Sequence, residues 1–128
     1  MKKRVFLSFM YEDESQVNGL RLLAKSPKFP LEFYDESIKK PINSTDSIYL
    51  KIKIIDKIKR SSAVIVLIGN DTYKSQWVNW EIEKAIELEK KVIGMALKGV
   101  ESAKLPTKFP KNSKFYSWDP WSIEKLIG

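Results

Sequence analysis

Short apolar runs alternate with amphipathic stretches along most of the chain. Three runs rich in β-branched and aromatic residues predict strands buried on both faces, at residues 4–9, 63–69 and 91–97. Residues 31–35 form a shorter apolar segment that predicts a further strand. The segments between these strands have helical spacing, so the order is β-α-β-α-β-α-β. We therefore predict an α/β protein whose mostly parallel sheet has helices on both faces.

Two of the predicted helices lie in the first half of the chain. Residues 13–25 place apolar side chains at helical spacing, and Asp13 or Ser15 can cap the start. Residues 44–62 contain an alternating piece that could form a strand, but cap candidates and a shared isoleucine face favour a helix. The cap candidates are Ser44, Thr45 and Asp46, and the shared face consists of Ile48, Ile52 and Ile55.

The C-terminal part of the chain has a less regular, proline-containing pattern. Residues 114–118 predict a short fifth strand, and Asp119 followed by Pro120 predicts the start of a final helical turn. The predicted sheet therefore has four to five strands. The length of 128 residues predicts a single domain covering residues 1–128.

The predicted sheet also indicates where a ligand would bind. Parallel sheets of this kind bind ligands in the crevice beyond the carboxyl ends of their strands, so the residues that follow each strand are candidates. They are Ser8, Phe9 and Met10 after the first strand, Asp35 and Glu36 after the second, and Gly69, Asn70 and Asp71 after the third.

The third predicted helix, residues 77–90, contains an acid, Glu81, close to two tryptophans. On a wheel of about 100° per residue, Glu81 falls roughly 60° from Val78, at the boundary of the core and in the first turn. The predicted core stripe consists of Val78, Ile82, Ala85 and Ile86, and the predicted solvent face includes Glu83 and Glu87. Two interpretations remain open. Glu81 complements the helix dipole while Trp77 and Trp80 pack on the sheet, or it is a partly desolvated carboxylate beside a pocket.

The composition limits the available chemistry. The sequence has no cysteine and no histidine, which excludes disulfides, Cys-ligated zinc, a cysteine nucleophile and a Ser-His-Asp triad. No G-x-G-x-x-G or Walker A pattern is present, so no phosphate-binding loop is evident. The acidic run at residues 11–15 is more typical of a helix start than of a metal site, so we expect no metal. Carboxylates, hydroxyls, lysines and the substrate itself remain for catalysis.

The net charge of +7 makes an anionic partner worth considering. The basic residues are 20 lysines and only 3 arginines, spread along the chain, whereas base readout and phosphate clamps favour arginine. A solvated lysine-rich surface is therefore favoured over a nucleic-acid face. No apolar run approaches the roughly 18–20 residues of a membrane span, and no signal-peptide pattern is present at the N-terminus. We expect a cytoplasmic protein that binds neither membranes nor nucleic acid.

Three motifs occur in the order and spacing of a known family. They are "RVFLSFMYED" at residues 4–13, "VLIGNDT" at residues 66–72 and "WVNWEI" at residues 77–82. Together they resemble the TIR domain superfamily, and most closely the bacterial TIR-like group of the Thoeris anti-phage systems, over about residues 4–97. The resemblance implies a flavodoxin-like TIR fold.

The resemblance also implies an activity. NAD-cleaving TIR domains break the nicotinamide–ribose bond of NAD⁺, a substrate rather than a cofactor, and make a cyclic ADP-ribose-type signal for a downstream effector. Glu81 takes the position of the catalytic glutamate in this pattern, and Ser8, Phe9 and Met10 lie where the nicotinamide ribose binds. Asp35 matches an acid that precedes the BB loop, through which many TIR enzymes form homo-oligomers.

Two tryptophans complete the expected substrate site. Trp77 and Trp80 would exclude water from its mouth if both lie near Glu81. Three alternatives to an NAD⁺-cleaving enzyme are kept: a TIR-fold interaction module without catalysis, a small nucleotide- or nucleic-acid-binding α/β protein, and an enzyme like the nucleoside deoxyribosyltransferases.

Overall fold

The structure is a computed structural model that describes residues 2–35, 41–100 and 102–128. Within these residues five strands form one sheet in which every neighbouring pair is parallel. The strands are β1 (Lys3–Ser8), β2 (Leu31–Tyr34), β3 (Ala63–Ile68), β4 (Lys91–Ala96) and β5 (Phe115–Tyr116). Their order across the sheet is β2-β1-β3-β4-β5.

Within the described residues, three helices connect the first four strands, as the sequence pattern predicts, and a fourth helix follows β5. They are α1 (Glu14–Ala24), α2 (Ser47–Lys59), α3 (Gln76–Glu87) and α4 (Ile123–Ile127). Short 3₁₀ turns precede three of them, at Tyr11–Asp13, Thr72–Lys74 and Pro120–Ser122. Within the described part of the chain, none of the helices combines the length and the apolar character that crossing a membrane requires.

The strand order confirms the predicted fold class. An order of 2-1-3-4-5 in a parallel sheet is that of flavodoxin-like proteins, and it reverses direction between β1 and β3. In such sheets the ligand crevice lies outside the carboxyl ends of the strands at that reversal. The residues that follow β1 and β3 are therefore brought to one edge of the sheet.

Two apolar layers cover the two faces of the sheet. On one face, Val17 and Leu20 of α1 and Ile123 of α4 pack against alternate residues of the central strands. On the other face, α2 and α3 contribute the buried apolar residues of the second layer, which are Ile54, Ile58, Val78, Ile82 and Ala85. Because helices lie on both faces, the central strand β3 is apolar and buried at every residue.

The predicted isoleucine face of α2 is wrong, although the helix itself is present. Ile48 and Ile52 are 61% and 62% exposed, whereas Ile54 and Ile58 are fully buried. The helix has isoleucines at two sets of i, i+4 positions, so the spacing alone fits either face. The sheet selects the second set, and the first set is left on the surface.

The predicted core stripe of α3 is displaced around the helix. Val78, Ile82 and Ala85 are fully buried as predicted, but Ile86 is 42% exposed and Glu81 is only 3% exposed. At about 100° per residue, Ile86 and Glu81 lie on opposite flanks of Val78, so one rotation of the stripe explains both errors. This rotation moves Glu81 from the predicted boundary into the core.

Two of the predicted capping residues, Asp13 and Asp46, make no side-chain capping hydrogen bond. Asp13 precedes α1 and Asp46 precedes α2. Asp46 has helical backbone angles, and a capping side chain needs an extended backbone at that position. The Asp13 carboxylate instead lies against Gly69. A Cβ placed on Gly69 would be only 2.5 Å from Asp13 Oδ2.

Candidate active site

Glu81 is positioned by the start of α3. The helix begins after Ser75, whose hydroxyl accepts a hydrogen bond from the backbone N–H of Val78 at 3.2 Å. This cap marks where the helix begins, and the packing of Val78, Ile82 and Ala85 in the core turns Glu81 toward the sheet. Glu81 is the sixth residue of α3 and so lies in its second turn. The prediction that the first-turn N–H groups stabilise its charge is therefore wrong, because that effect fades after one turn.

One polar partner of Glu81 comes from β1. Ser8 is the last residue of that strand, is fully buried and donates a hydrogen bond from its Oγ to Glu81 Oε1 at 2.6 Å. The bond holds the carboxylate at the carboxyl end of β1, beside the reversal of the strand order.

A cavity of about 340 Å³ opens over this pair. Its lining residues come from the segment after β1 and from the start of α3, and they are Phe9, Met10, Tyr11, Glu12, Ser75, Trp77 and Glu81. The volume lies at the lower end of the roughly 300–1,000 Å³ of small-molecule sites, and aromatic walls suit a flat ring. The cavity can therefore hold a nucleoside-sized group against an acid.

Five of the seven predicted site residues meet at this place. Phe9, Met10, Trp77 and Glu81 line the cavity, and Ser8 contacts Glu81 from beneath. Trp77 also packs edge-to-face against Trp80, with ring centroids 5.7 Å apart. These positions fit the expected site, and their roles remain predictions.

Asp35 lies outside the cavity and pairs with Arg21 of α1. Its two oxygens accept hydrogen bonds from Arg21 at 2.6 and 3.2 Å, and Glu14 accepts another at 3.3 Å. The hydrogen bond with Asp35 is the main cause that raises the pKa of Arg21 above its ordinary value. The guanidinium carbon of Arg21 lies 5.6 Å from the centre of the Phe9 ring. Arg21 therefore contacts both Asp35 and the Phe9 wall of the cavity, and it links the two.

Trp80 also lies outside this cavity and lines a larger one of about 570 Å³. It is the residue before Glu81, so the two side chains leave the helix about 100° apart. The buried carboxylate belongs to the smaller cavity, which is therefore the better candidate for chemistry.

Sequence reasoning missed four residues that shape the site. Tyr11 and Glu12 follow β1 directly and form part of the wall, and Ser75 both caps α3 and lines the cavity. Arg21 orders Asp35 beside Phe9. Ser75 had a readable signal as a capping residue type just before a helix, whereas nothing local marks Arg21.

The acidic loop residues next to the cavity repel one another. Burial raises the pKa of Asp13 above its ordinary value, and the nearby Glu12 and Asp71 raise it further. Asp13, Asp71 and Asn70 line a neighbouring cavity of about 350 Å³ at the carboxyl ends of β1 and β3. Glu36, the other predicted crevice acid, lies outside the described residues.

Comparison with known proteins identifies the family. Residues 6–102 match the sequence model of a family described as "Thoeris protein ThsB, TIR-like domain". The chain belongs to this ThsB TIR-like family. The resemblance inferred from the three sequence motifs is thereby confirmed.

A curated relative agrees with this assignment. A protein of Bacillus cereus (strain MSX-D12), named "Putative cyclic ADP-D-ribose synthase ThsB1", is 36% identical over 99 residues. The alignment covers 74% of this chain and 52% of the relative. This member of the ThsB TIR-like family therefore spans about half the length of the relative it matches.

A solved structure shares the fold. A 2-desoxiribosyltransferase from Leishmania mexicana superposes with a TM-score of 0.65 and 12% identity, covering 98% of this chain and 97% of that chain. The TIR domains of the activated Roq1 resistosome recognising the pathogen effector XopQ give a TM-score of 0.46 and 20% identity, with 74% and 57% coverage. The first likeness shows that the α/β architecture of this family is shared with the transferase.

Proposed function

We propose that the chain is a TIR-type NAD⁺ glycohydrolase and cyclase. It would cleave the nicotinamide–ribose bond of NAD⁺ and make a cyclic ADP-ribose-type signal in anti-phage defence. The supporting observation is the buried carboxylate of Glu81, held by Ser8 at the base of a nucleoside-sized cavity. Glu81 lies within the range that matches the ThsB TIR-like family, and the name of the Bacillus cereus relative supports the class of reaction.

The bond that breaks joins C1 of the ribose to the ring nitrogen of nicotinamide. The bonding electron pair leaves with nicotinamide, which departs as a neutral molecule and needs no proton. The positive charge of the pyridinium passes to an oxocarbenium-like ribose. Glu81 stabilises this charge and accepts hydrogen bonds from the ribose hydroxyls. Such a reaction needs no histidine, in agreement with the composition.

Three other residues support the reaction without bonding to the substrate carbon. Ser8 is a positioning residue, because its hydrogen bond fixes the orientation of the Glu81 carboxylate. Trp77 and Phe9 supply aromatic walls for the nicotinamide ring. These walls also limit the access of water, which favours capture of the ribose by a hydroxyl or a ring nitrogen of the same molecule over hydrolysis.

The proposal extends to the partners of the reaction. NAD⁺ is the substrate, no cofactor takes part, and a separate effector protein detects the nucleotide signal. The smaller cavity has room for about one nucleoside, so the rest of the dinucleotide must extend beyond it. Homo-oligomers formed through the loop after β2 are part of the same proposal.

Mass spectrometry of NAD⁺ incubations tests the reaction and its product together. Wild type should convert NAD⁺ into nicotinamide and cyclic ADP-ribose, with ADP-ribose as the hydrolysis product. Glu81→Gln should lower formation of all three at least about 100-fold, the usual loss for a group that stabilises transition-state charge. Glu87→Gln is the matched control, because Glu87 is an exposed acid of the same helix. Equal product from the wild type and Glu81→Gln would reject the proposal.

A second candidate function is a TIR-fold interaction module without catalysis. The observation that favours it is the exposed apolar face of α2, on which Ile48, Tyr49 and Ile52 are 61–69% exposed. This candidate predicts partner binding that is unaffected by Glu81→Gln and is lost in Ile52→Asp. Co-purification of tagged and untagged copies of the chain measures both effects.

A further inference from the structure

Asp35, a predicted site residue, lies outside the Glu81 cavity at the carboxyl end of β2. It is held from both faces of the sheet. Arg21 of α1 donates to its two carboxylate oxygens, and the ammonium group of Lys57 of α2 donates to its backbone oxygen at 2.9 Å. Since α1 and α2 pack on opposite faces, Asp35 has a fixed place at the edge where the strands end.

The guanidinium of Arg21 is oriented by several hydrogen bonds at this edge. Its Nη2 and Nε donate to Asp35 at 2.6 and 3.2 Å. Its Nη1 donates to Glu14 at 3.3 Å and to the side-chain oxygen of Asn18 at 2.6 Å. Because the donors of a guanidinium form a rigid planar fork, these bonds fix the plane of the group as well as its position. The plane so fixed lies over the Phe9 ring, with the guanidinium carbon 5.6 Å from the ring centre.

The Phe9 ring connects this network to the cavity. Phe9 is 8% exposed, belongs to the apolar layer that α1 covers, and also lines the cavity over Glu81. It directly follows Ser8, whose hydroxyl holds the Glu81 carboxylate. Because the ring forms part of the wall, a displaced Phe9 ring would open the cavity to water.

We propose that Arg21 is a positioning residue that holds the Phe9 ring as a wall of the Glu81 cavity, and that Asp35 acts on the cavity through Arg21. A cation over the face of an aromatic ring is attracted by the ring, and more strongly where water is excluded. Asp35 fixes the orientation in which the guanidinium meets the ring. Removal of either side chain therefore releases the same wall.

The ratio of the two products reports the position of this wall. After nicotinamide has left, the ribose carbon bonds either to the oxygen of water or to a hydroxyl or ring nitrogen of the same molecule. Capture by water gives ADP-ribose and releases one proton to solvent, whereas internal capture gives the cyclic product. A displaced Phe9 ring admits water and raises the share of ADP-ribose. This readout rests on the proposed function, whereas the contacts of Arg21 do not.

Mass spectrometry of NAD⁺ incubations measures the ratio of ADP-ribose to cyclic product. Arg21→Met keeps an unbranched side chain and removes the guanidinium. We expect it to raise the ratio about 2- to 30-fold, the factor that loss of one cation–π contact allows. The ratio does not depend on the fraction of folded protein, because both products come from the same folded molecules.

Arg4→Met is the matched control for this change. The guanidinium carbon of Arg4 lies 5.6 Å from the centre of the Tyr34 ring, and its Nε pairs with Glu32 at 3.4 Å. Arg4 thus has the same kinds of partner as Arg21 but does not line the Glu81 cavity. We expect an unchanged product ratio in Arg4→Met.

Asp35→Asn tests the coupling and keeps the test valid where Arg21→Met disturbs folding. Arg21→Met deprives the Asp35 carboxylate of two hydrogen bonds, and Asp35→Asn added to it removes the charge that needs them. We expect Asp35→Asn to raise the ratio, and the double variant to have the same ratio as Arg21→Met. Independent, multiplying effects of the two changes would overturn the coupling. An unchanged ratio in Arg21→Met and in the double variant, or an equal rise in Arg4→Met, would overturn the role of Arg21.

NMR of protein labelled with ¹³C at phenylalanine tests the position of the ring without any turnover. The Phe9 signal is assigned from its loss in Phe9→Leu. Arg21→Met should raise the rate at which the Phe9 ring rotates, read from its line shape, and Arg4→Met should leave that rate unchanged. An unchanged rate in Arg21→Met would overturn the proposed role of Arg21 even in a protein that forms no product. A raised rate without nicotinamide release by the wild type would support that role and contradict only the proposed function.

Discussion

Replacement of Ser8 by alanine tests how firmly the fold holds Glu81. The Ser8 side chain is fully buried, Glu81 is 3% exposed, and the hydrogen bond between them is 2.6 Å long. A hydrogen bond from a hydroxyl to a carboxylate contributes about 1.5–3 kcal/mol, and alanine has no donor to replace it. We therefore expect Ser8→Ala to lower the free energy of unfolding by about 1.5–3 kcal/mol, measured by urea denaturation at pH 7.

Ser61→Ala is the matched control for this substitution. Ser61 is 2% exposed and donates from its Oγ to the backbone oxygen of Lys57 at 2.7 Å. Because that acceptor is uncharged, we expect a smaller loss of about 0.5–1.5 kcal/mol. Equal losses in the two variants would refute the reasoning that the acceptor of the Ser8 hydroxyl, a carboxylate, makes its hydrogen bond stronger than one to a backbone oxygen.

The same Ser8 variant has an expected kinetic signature. A carboxylate that is displaced but still present should stabilise the transition state less, while substrate contacts elsewhere persist. We expect kcat for nicotinamide release to fall about 10-fold or more with little change in KM, which steady-state assays measure. A change confined to KM would place Ser8 in substrate binding instead.

Three further predictions concern other parts of the molecule. The pKa of Asp13 is raised in the folded protein, so its ionised form destabilises the fold increasingly as pH rises through that pKa. Asp13→Asn should therefore gain more stability over wild type at pH 7 than at pH 4. An equal gain at both pH values in urea denaturation would contradict this. Ile54→Ala should cost about 2–5 kcal/mol in the same assay, whereas Ile52→Ala, on the exposed face, should change stability by no more than about 0.5 kcal/mol. Arg21→Gln should cost about 1–3 kcal/mol because it leaves the half-buried Asp35 carboxylate without its two hydrogen bonds, and Asp35→Asn added to it should restore part of that loss.

The positions of the strands along the chain follow closely from the sequence, whereas their order across the sheet does not follow from the apolar pattern. Buried parallel strands need apolar residues on both faces, and the runs around Val5, Ile65 and Ile93 have that composition without interruption. A helix buries only one stripe, and its rotation depends on the partner surface. The sequence of α2 offers two equivalent isoleucine faces, so only contact with the sheet decides that Ile54 is buried and Ile52 exposed.

The candidate site was predictable in part for similar reasons. The rule that ligands bind beyond the carboxyl ends of parallel strands selects Ser8, Phe9 and Met10; Phe9 and Met10 line the cavity and Ser8 contacts Glu81, while their roles stay predictions. The helical wheel underestimates the burial of Glu81. It assigns buried positions from the apolar residues of α3 alone and does not include the hydrogen bond that Ser8 of β1 donates to the carboxylate. The pairing of Asp35 with Arg21 likewise depends on how α1 packs, which no local pattern records.

Release of nicotinamide from NAD⁺ tests the central proposal most directly. The measurement compares wild type, Glu81→Gln and the exposed-acid control Glu87→Gln at equal concentrations of folded protein, with phage trigger supplied. We predict release by the wild type and Glu87→Gln, and a loss of at least about 100-fold in Glu81→Gln. Equal release from the wild type and Glu81→Gln, or none from the well-folded wild type, would contradict the assignment of Glu81 as a catalytic residue.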